Sequence, residues 1–372
     1  MVSSVISSQL SAIEAVGVFV CIYLAYGVLL ALYRIYLHPL SKYPGPRLAA
    51  ATRWYEFYFD VIKRGRFAWE IKRMHEVYGP VVRVTPDELH VSEPAFYDEL
   101  YAGVSKRRDK YAQAYNLSLV EGSSWTTTDH ALHRNRRAAV APFFNLTAIR
   151  QFDPVIRAKL ELLSQKFKRC QHSGEVVSMD DAFTAAMTDI VTQYGFAEVK
   201  SVMPDPSVLP SFNDLNKLPY FDAVINEGFR LSHGVIARLP RVAPTEDLSV
   251  PNTDITIPAG TPIGMSAWLV HMNPSLFPSP DEFRPERWLE PGAEHLKKYL
   301  VNFSKGSRVC LGKDLARAEI VYSLALLVRR WTGDEGMGMQ LYETKRKDAE
   351  IERDFFNPYS DFSSKGVRVV FK

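Results

Sequence analysis

The chain has 372 residues, 47% of them hydrophobic and 23% charged, a composition that buries a core and excludes a disordered or low-complexity protein. A net charge of +3, from 45 basic and 42 acidic side chains, leaves no concentrated basic face and sets a nucleic-acid partner aside. The cysteines Cys21, Cys170 and Cys310 are odd in number and far apart, so they offer neither a disulfide framework nor paired metal-ligand spacing and imply a reducing compartment.

The first predicted element is an anchor. Residues 15–33, AVGVFVCIYLAYGVLLALY, carry no charge, and their length suits one transmembrane helix, assigned to residues 12–33. A signal peptide would have a basic stretch before the apolar run, whereas here Arg34, Lys42 and Arg47 follow it, a bias that places the C-terminal side in the cytosol. The sequons at Asn116, Asn145 and Asn302 then never meet the glycosylation machinery. Residues 34–48 contain Pro39, Pro44 and Pro46 and read as a semi-rigid connector.

The body divides into residues 49–199 and 200–372. Its first part reads as largely helical, broken by GPVVRVTPDELHVS, where β-branched and polar residues alternate as in strands. A polar, proline-containing stretch leads to LPYFDAVINEGFRLSH, a helix with one apolar face. Short strands around DITIPAGTPIGMSAWLV, a proline-rich loop ending in FRPERW, the loop FSKGSRVCLG and the long helix DLARAEIVYSLALLVRRW complete the chain. The fold class is therefore mainly α with a minor β-sheet, with no internal repeat and no phosphate-binding glycine loop.

Cys310 poses the chemical question. As a nucleophile it needs a histidine base, which sequence alone does not locate; as a zinc ligand it needs companions that Cys21 and Cys170 do not supply. As the axial thiolate of a haem iron it needs no other protein ligand. That role also employs its neighbours: Gly306 and Gly312 for a sharp turn and close approach to a flat macrocycle, Arg308 for a propionate, and a following helix whose N-terminus favours negative charge on sulfur.

With Phe303, Gly306, Arg308, Cys310 and Gly312 all filled, the loop resembles the haem-binding FxxGxRxCxG loop of cytochrome P450. EGFR, containing Glu227 and Arg230, and FRPERW, containing Arg287, precede it in the order of the family's Glu-Arg-Arg cluster, a structural ion-pair set. HRNRR resembles the helix in which the family often has a Trp and an Arg facing a propionate, here His133 and Arg137; Arg241 in ARLPRVAP is a further propionate candidate. The anchor, HPLSKYPGP and the C-terminal DFFNPYSDFSSKGVRVVF resemble fungal microsomal secondary-metabolism members, the group that includes trichodiene oxygenase.

The resemblance implies a P450 fold, haem b with Cys310 as its metal ligand, and electrons from NADPH through NADPH-cytochrome P450 reductase. It also implies hydroxylation or epoxidation, with O2, of a small apolar terpenoid, polyketide or alkaloid intermediate, by a single-pass protein of the endoplasmic reticulum. One departure stands out. The family's distal helix, with its acid-Thr pair, has no counterpart between residues 197 and 218, so no catalytic residue is identifiable. AGTPIG at residues 259–264 and AAMTDI at residues 185–190 are decoys. The chain reads as internally truncated at residues 196–199, which leaves two alternatives: a non-catalytic relative or incomplete gene model, and a P450-fold isomerase or dehydratase.

Overall fold

The computed structural model describes residues 2–114, 123–183, 212–331 and 338–371. The sequon at Asn116, the AAMTDI decoy and the 196–199 junction lie outside them.

The N-terminal helix, Val2–Tyr36, includes one span apolar and long enough to cross a membrane, Glu14–Tyr36, none of it buried against the body. It continues past residue 33 because the connector's first proline comes only at Pro39. Its end is tied down: Arg34 Nη1 donates to the Ala51 carbonyl at 3.0 Å, and the buried Arg83 donates to the Arg34 carbonyl at 2.7 Å.

The stretch GPVVRVTPDELHVS folds as predicted, into antiparallel strands Val81–Arg83 and Leu89–Val91. They are one edge of a five-stranded sheet that continues through Pro262–Gly264, Arg241–Val242 and Asp109–Lys110. Leu89 and His90 pair in parallel with Ile263 and Gly264, so AGTPIG does end in a strand. A core of Leu40, Val81, Leu89, Phe96, Leu100 and Val301 lies against this sheet.

Helices form the second layer. Leu146–Ser173 begins where the Asn145 side chain accepts from the Ala148 N–H at 2.8 Å, an N-cap, and stops at Gly174 with φ 68°, the left-handed C-cap that glycine adopts freely. Its buried stripe of Ile149, Phe152, Ile156, Leu160, Leu163 and Phe167 recurs at helical spacing and packs with Leu315, Val321, Tyr322 and Leu326 of the Lys313–Trp331 helix and Ile225 and Phe229 of Pro219–Ser232. Each fully buried side chain of this size contributes about 1.5–3 kcal/mol. Cys170 is buried in the same stripe, and Cys21 is exposed on the N-terminal helix.

Candidate functional site

The Cys310 loop is fixed from three directions. Along its own chain, Cys310 N–H donates to the Phe303 carbonyl at 2.8 Å, Val309 N–H to Gly306 at 3.2 Å and Ser304 N–H to Val301 at 2.9 Å. Towards the sheet core, Ser307 N–H donates to the Ala102 carbonyl at 3.0 Å. Towards the Pro219–Ser232 helix, the Phe303 ring meets Phe229 edge-on, with centroids 5.3 Å apart, and the Asn302 amide donates to the Phe229 carbonyl.

Two glycines were expected to turn the loop, and only one does. Gly306 has φ 66°, and a Cβ there would lie 2.1 Å from the carbonyl oxygens of both Tyr101 and Ala102, so no other residue fits. Gly312 has no positive φ and open space around it; the second left-handed position is Ser304, at φ 59°. The Cys310 side chain is exposed, with the Lys313–Trp331 helix starting just after it.

Basic side chains from four separate segments converge beside this loop. His133 and Arg137 come from the His130–Val140 helix, Lys110 and Arg241 from paired residues of two sheet strands, and Arg308 from the loop itself. Arg137 Nη1 donates to the Val309 carbonyl at 2.6 Å. Burial lowers the Arg137 pKa, and the Cys310 sulfur acts in the opposite direction. Burial pushes His133 down to about 3, with Arg308, Arg137, Lys110 and His130 adding to the effect. Lys110 goes down to about 7, through burial and then Arg241 and Arg308.

Asp129, which also senses Arg308, is occupied at the helix start, where it caps Leu132 N–H at 2.7 Å and pairs with Arg107 at 3.4 Å.

The arginines are meanwhile held by carbonyls. Arg308 donates to Thr127 at 2.6 Å, Thr128 at 2.8 Å and Asp129 at 3.1 Å; Arg241 donates to Leu239 and Pro240, both at 3.1 Å, and lies over the Tyr101 ring at 5.1 Å. Sequence reasoning named His133, Arg137, Arg241 and Arg308 but missed Lys110, whose neighbours RRD and YAQ form no motif.

Glu227, Arg230 and Arg287 lie together in the structure. Glu227, Arg230 and Arg287 are buried, each at 1% exposure or less. Arg230 donates to the Glu227 carboxylate at 2.7 and 3.0 Å and Arg287 at 3.1 Å. Arg284 N–H at 3.0 Å and Trp288 Nε1 at 2.9 Å complete the shell. The remaining arginine N–H groups reach carbonyls: Arg230 to His271, Pro280 and Glu282, and Arg287 to Pro278 and Ser279. Burial alone would raise the Glu227 pKa; hydrogen bonds from Arg230 and Arg284 and the Arg230 charge outweigh it, and the net shift is downward. Sequence reasoning missed Trp288, although it ends the quoted FRPERW segment and an indole N–H rarely goes unpaired when buried.

Comparison with known proteins gives one consistent picture. The family profile described as Cytochrome P450 matches residues 196–345. Cytochrome P450 monooxygenase sdnE of Sordaria araneosa is 30% identical over 505 residues, covering 93% of this chain and 96% of that protein. Tryptophan 6-hydroxylase fscE of Fusarium equiseti is 30% identical over 500 residues, covering 95% and 96%. Both alignments are longer than the 372 residues of this chain, so both relatives carry internal sequence that faces a gap. Among solved structures, retinoic acid bound cyanobacterial CYP120A1 matches with a TM-score of 0.62 at 15% identity, covering 81% of this chain and 93% of that one, a likeness of fold.

Proposed function

The chain belongs to the cytochrome P450 family, and from that premise we propose that it is a membrane-anchored haem-thiolate monooxygenase acting on a small apolar secondary metabolite. The observation that carries this reading is the convergence of Lys110, His133, Arg137, Arg241 and Arg308 beside the Cys310 loop. Basic side chains grouped next to an accessible thiol match a flat ligand that offers two propionates and an iron.

When bound, haem b supplies dioxygen activation, with the thiolate donating electron density to the iron. The protein's own part is positional. Cys310 would hold the iron, Arg137 and Arg308 fix the loop backbone just before Cys310, and His133, Lys110 and Arg241 would hold the propionates. Gly312, in open space, leaves room for the macrocycle. Phe303 and Asn302 keep the loop against the Pro219–Ser232 helix, which the Glu227–Arg230–Arg287 set ties to the 271–288 segment. Electrons come from NADPH through NADPH-cytochrome P450 reductase. The Glu14–Tyr36 helix crosses the endoplasmic reticulum membrane, with the body on the cytosolic side, in keeping with the basic residues that follow it. Hydroxylation or epoxidation of a terpenoid, polyketide or alkaloid intermediate fits the fungal monooxygenases to which the chain is similar.

A second reading, a haem protein without turnover, has a specific observation in its favour: the alignment gap, together with a 197–218 stretch that contains no threonine. The reduced, carbon-monoxide-bound absorption spectrum of the full chain in membranes tests the first requirement. A red-shifted Soret band of thiolate ligation supports the haem site, and its absence in well-expressed protein removes it. With that band present, NADPH consumption and product formation with reductase separate the monooxygenase from the silent relative.

A further inference from the structure

A cavity of about 280 Å³ lies apart from the Cys310 cluster, its wall including Asp60, Phe67, Ile71, His90, Arg238 and Asp354. None of the basic residues around Cys310 lines it.

The protons on its wall can be traced. His75 Nδ1 lies 2.8 Å from the Gly79 carbonyl oxygen, and an oxygen only accepts, so His75 carries its proton on Nδ1. Its Nε2 is then a lone pair, and His90 Nδ1, 2.8 Å away, donates to it. That leaves His90 Nε2 unprotonated. It is fully buried and has no hydrogen-bond partner among the described residues, although His90 lines the cavity. Burial keeps both rings neutral, His75 pushed down to about 4 and His90 well below its ordinary value.

The two carboxylates on the wall accept backbone N–H groups. Asp354 takes the Phe356 N–H at 2.9 Å, and Asp60 takes the Phe67 N–H. Burial raises Asp60 to about 7, with Arg238 opposing and Glu56 and Asp354 adding to the rise, and raises Asp354 to about 6 against Arg238. The one cation on the wall, Arg238, is engaged by Glu88 at 2.6 Å and by Glu56. Apolar and aromatic side chains, among them Phe67, Ile71 and Phe355, make up much of the remainder.

We propose that this cavity binds a protonated amine carried on a compact apolar frame, the ammonium group meeting the Asp60 and Asp354 carboxylates and the lone pair of His90. Such a ligand brings a positive charge to the two buried carboxylates and a donor to the unpartnered His90 Nε2. This goes beyond the haem reading and does not depend on it.

Calorimetric titration of the full chain in detergent with phenethylamine and with phenethyl alcohol, which share a frame, provides the test. The amine is expected to bind roughly tenfold more tightly than the alcohol, and Asp60→Asn combined with Asp354→Asn should abolish that preference while leaving the alcohol little changed. Should the double variant fail to fold, Asp354→Asn alone, on the terminal hairpin, is expected to reduce the preference in the same direction. Equal affinity for the two compounds, no binding of either, or an amine preference that survives these substitutions, as amine ligation of the iron would, overturns the site.

Discussion

Arg137 Nη1 donates to the carbonyl of Val309 at 2.6 Å, which ties the His130–Val140 helix to the residue immediately before Cys310. The two segments are distant in sequence, so the position of the thiol depends on a helix that sequence motifs treat as a separate signature.

Replacing Arg137 with Met therefore removes a loop anchor together with one of the converging cations. On the proposed function, haem is expected to leave the Arg137→Met protein roughly tenfold faster, at the scale of one charge-assisted hydrogen bond. Haem transfer to an excess of apomyoglobin measures the rate; an unchanged rate argues against a role for Arg137 in holding the cofactor.

The two loop glycines should respond differently. Gly306→Ala places a methyl group 2.1 Å from two carbonyl oxygens at φ 66°, so the loop must deform, and the expected result is loss of the thiolate-type carbon monoxide band. Gly312→Ala meets nothing within the protein and should leave thermal unfolding of the haem-free protein unchanged. Any loss of haem affinity in that variant then reports on contact with the cofactor itself.

The Glu227 cluster predicts a folding defect. Glu227→Gln leaves Arg230 and Arg287 buried with less compensation, at a cost of about 3–5 kcal/mol, read from denaturant unfolding. Trp288→Phe removes a single donor to that carboxylate and should cost about 1–3 kcal/mol. Because the folded pKa of Glu227 lies below its unfolded value, its contribution is present above the ordinary glutamate range and is lost as pH falls through the folded value. Acid unfolding of Glu227→Gln should accordingly be shallower than that of the parent.

Lys110 gives a slope of the same sign in a higher pH range. Its folded pKa, about 7, lies below the ordinary 10.5, so between those values the unfolded chain binds more protons and stability rises with pH. Haem-free protein is expected to show that rise, and Lys110→Met to lose the Lys110 share of it. Bound propionates would keep Lys110 charged, so addition of haem should flatten the slope in the parent.

The N-terminal helix can be removed at one place and not at another. Deletion through residue 33 should release a folded protein from the membrane fraction, because Arg34 keeps its bonds to Ala51 and Arg83. Deletion through residue 36 removes both bonds and is expected to lower the unfolding temperature, as followed by circular dichroism.

Much of the architecture was legible in local chemistry. An uncharged run of membrane length, prolines that interrupt helices, β-branched alternation at residues 79–92 and the FxxGxRxCxG spacing are properties of neighbouring residues, and each led to the element found there. EGFR and FRPERW were legible as a pair because an ion-pair cluster needs both signs of charge in a known order.

What lay beyond sequence was whatever depends on approach between distant segments. Nothing adjacent to Lys110 announces that Arg241 and Arg308 will share its burial, and nothing adjacent to Gly312 shows that Gly306 and Ser304 make the turn. Trp288 stood in view, yet only the fold directed its indole to Glu227. The sequence by itself determined the long apolar N-terminal helix, the mixed helical body and the loop bearing Cys310, because these follow from periodicity, apolar length and backbone preference. Tertiary structure alone decided which cations crowd Cys310 and which acceptors line the cavity of Asp60 and His90, because burial and electrostatic coupling act through space and leave no periodic trace along the chain.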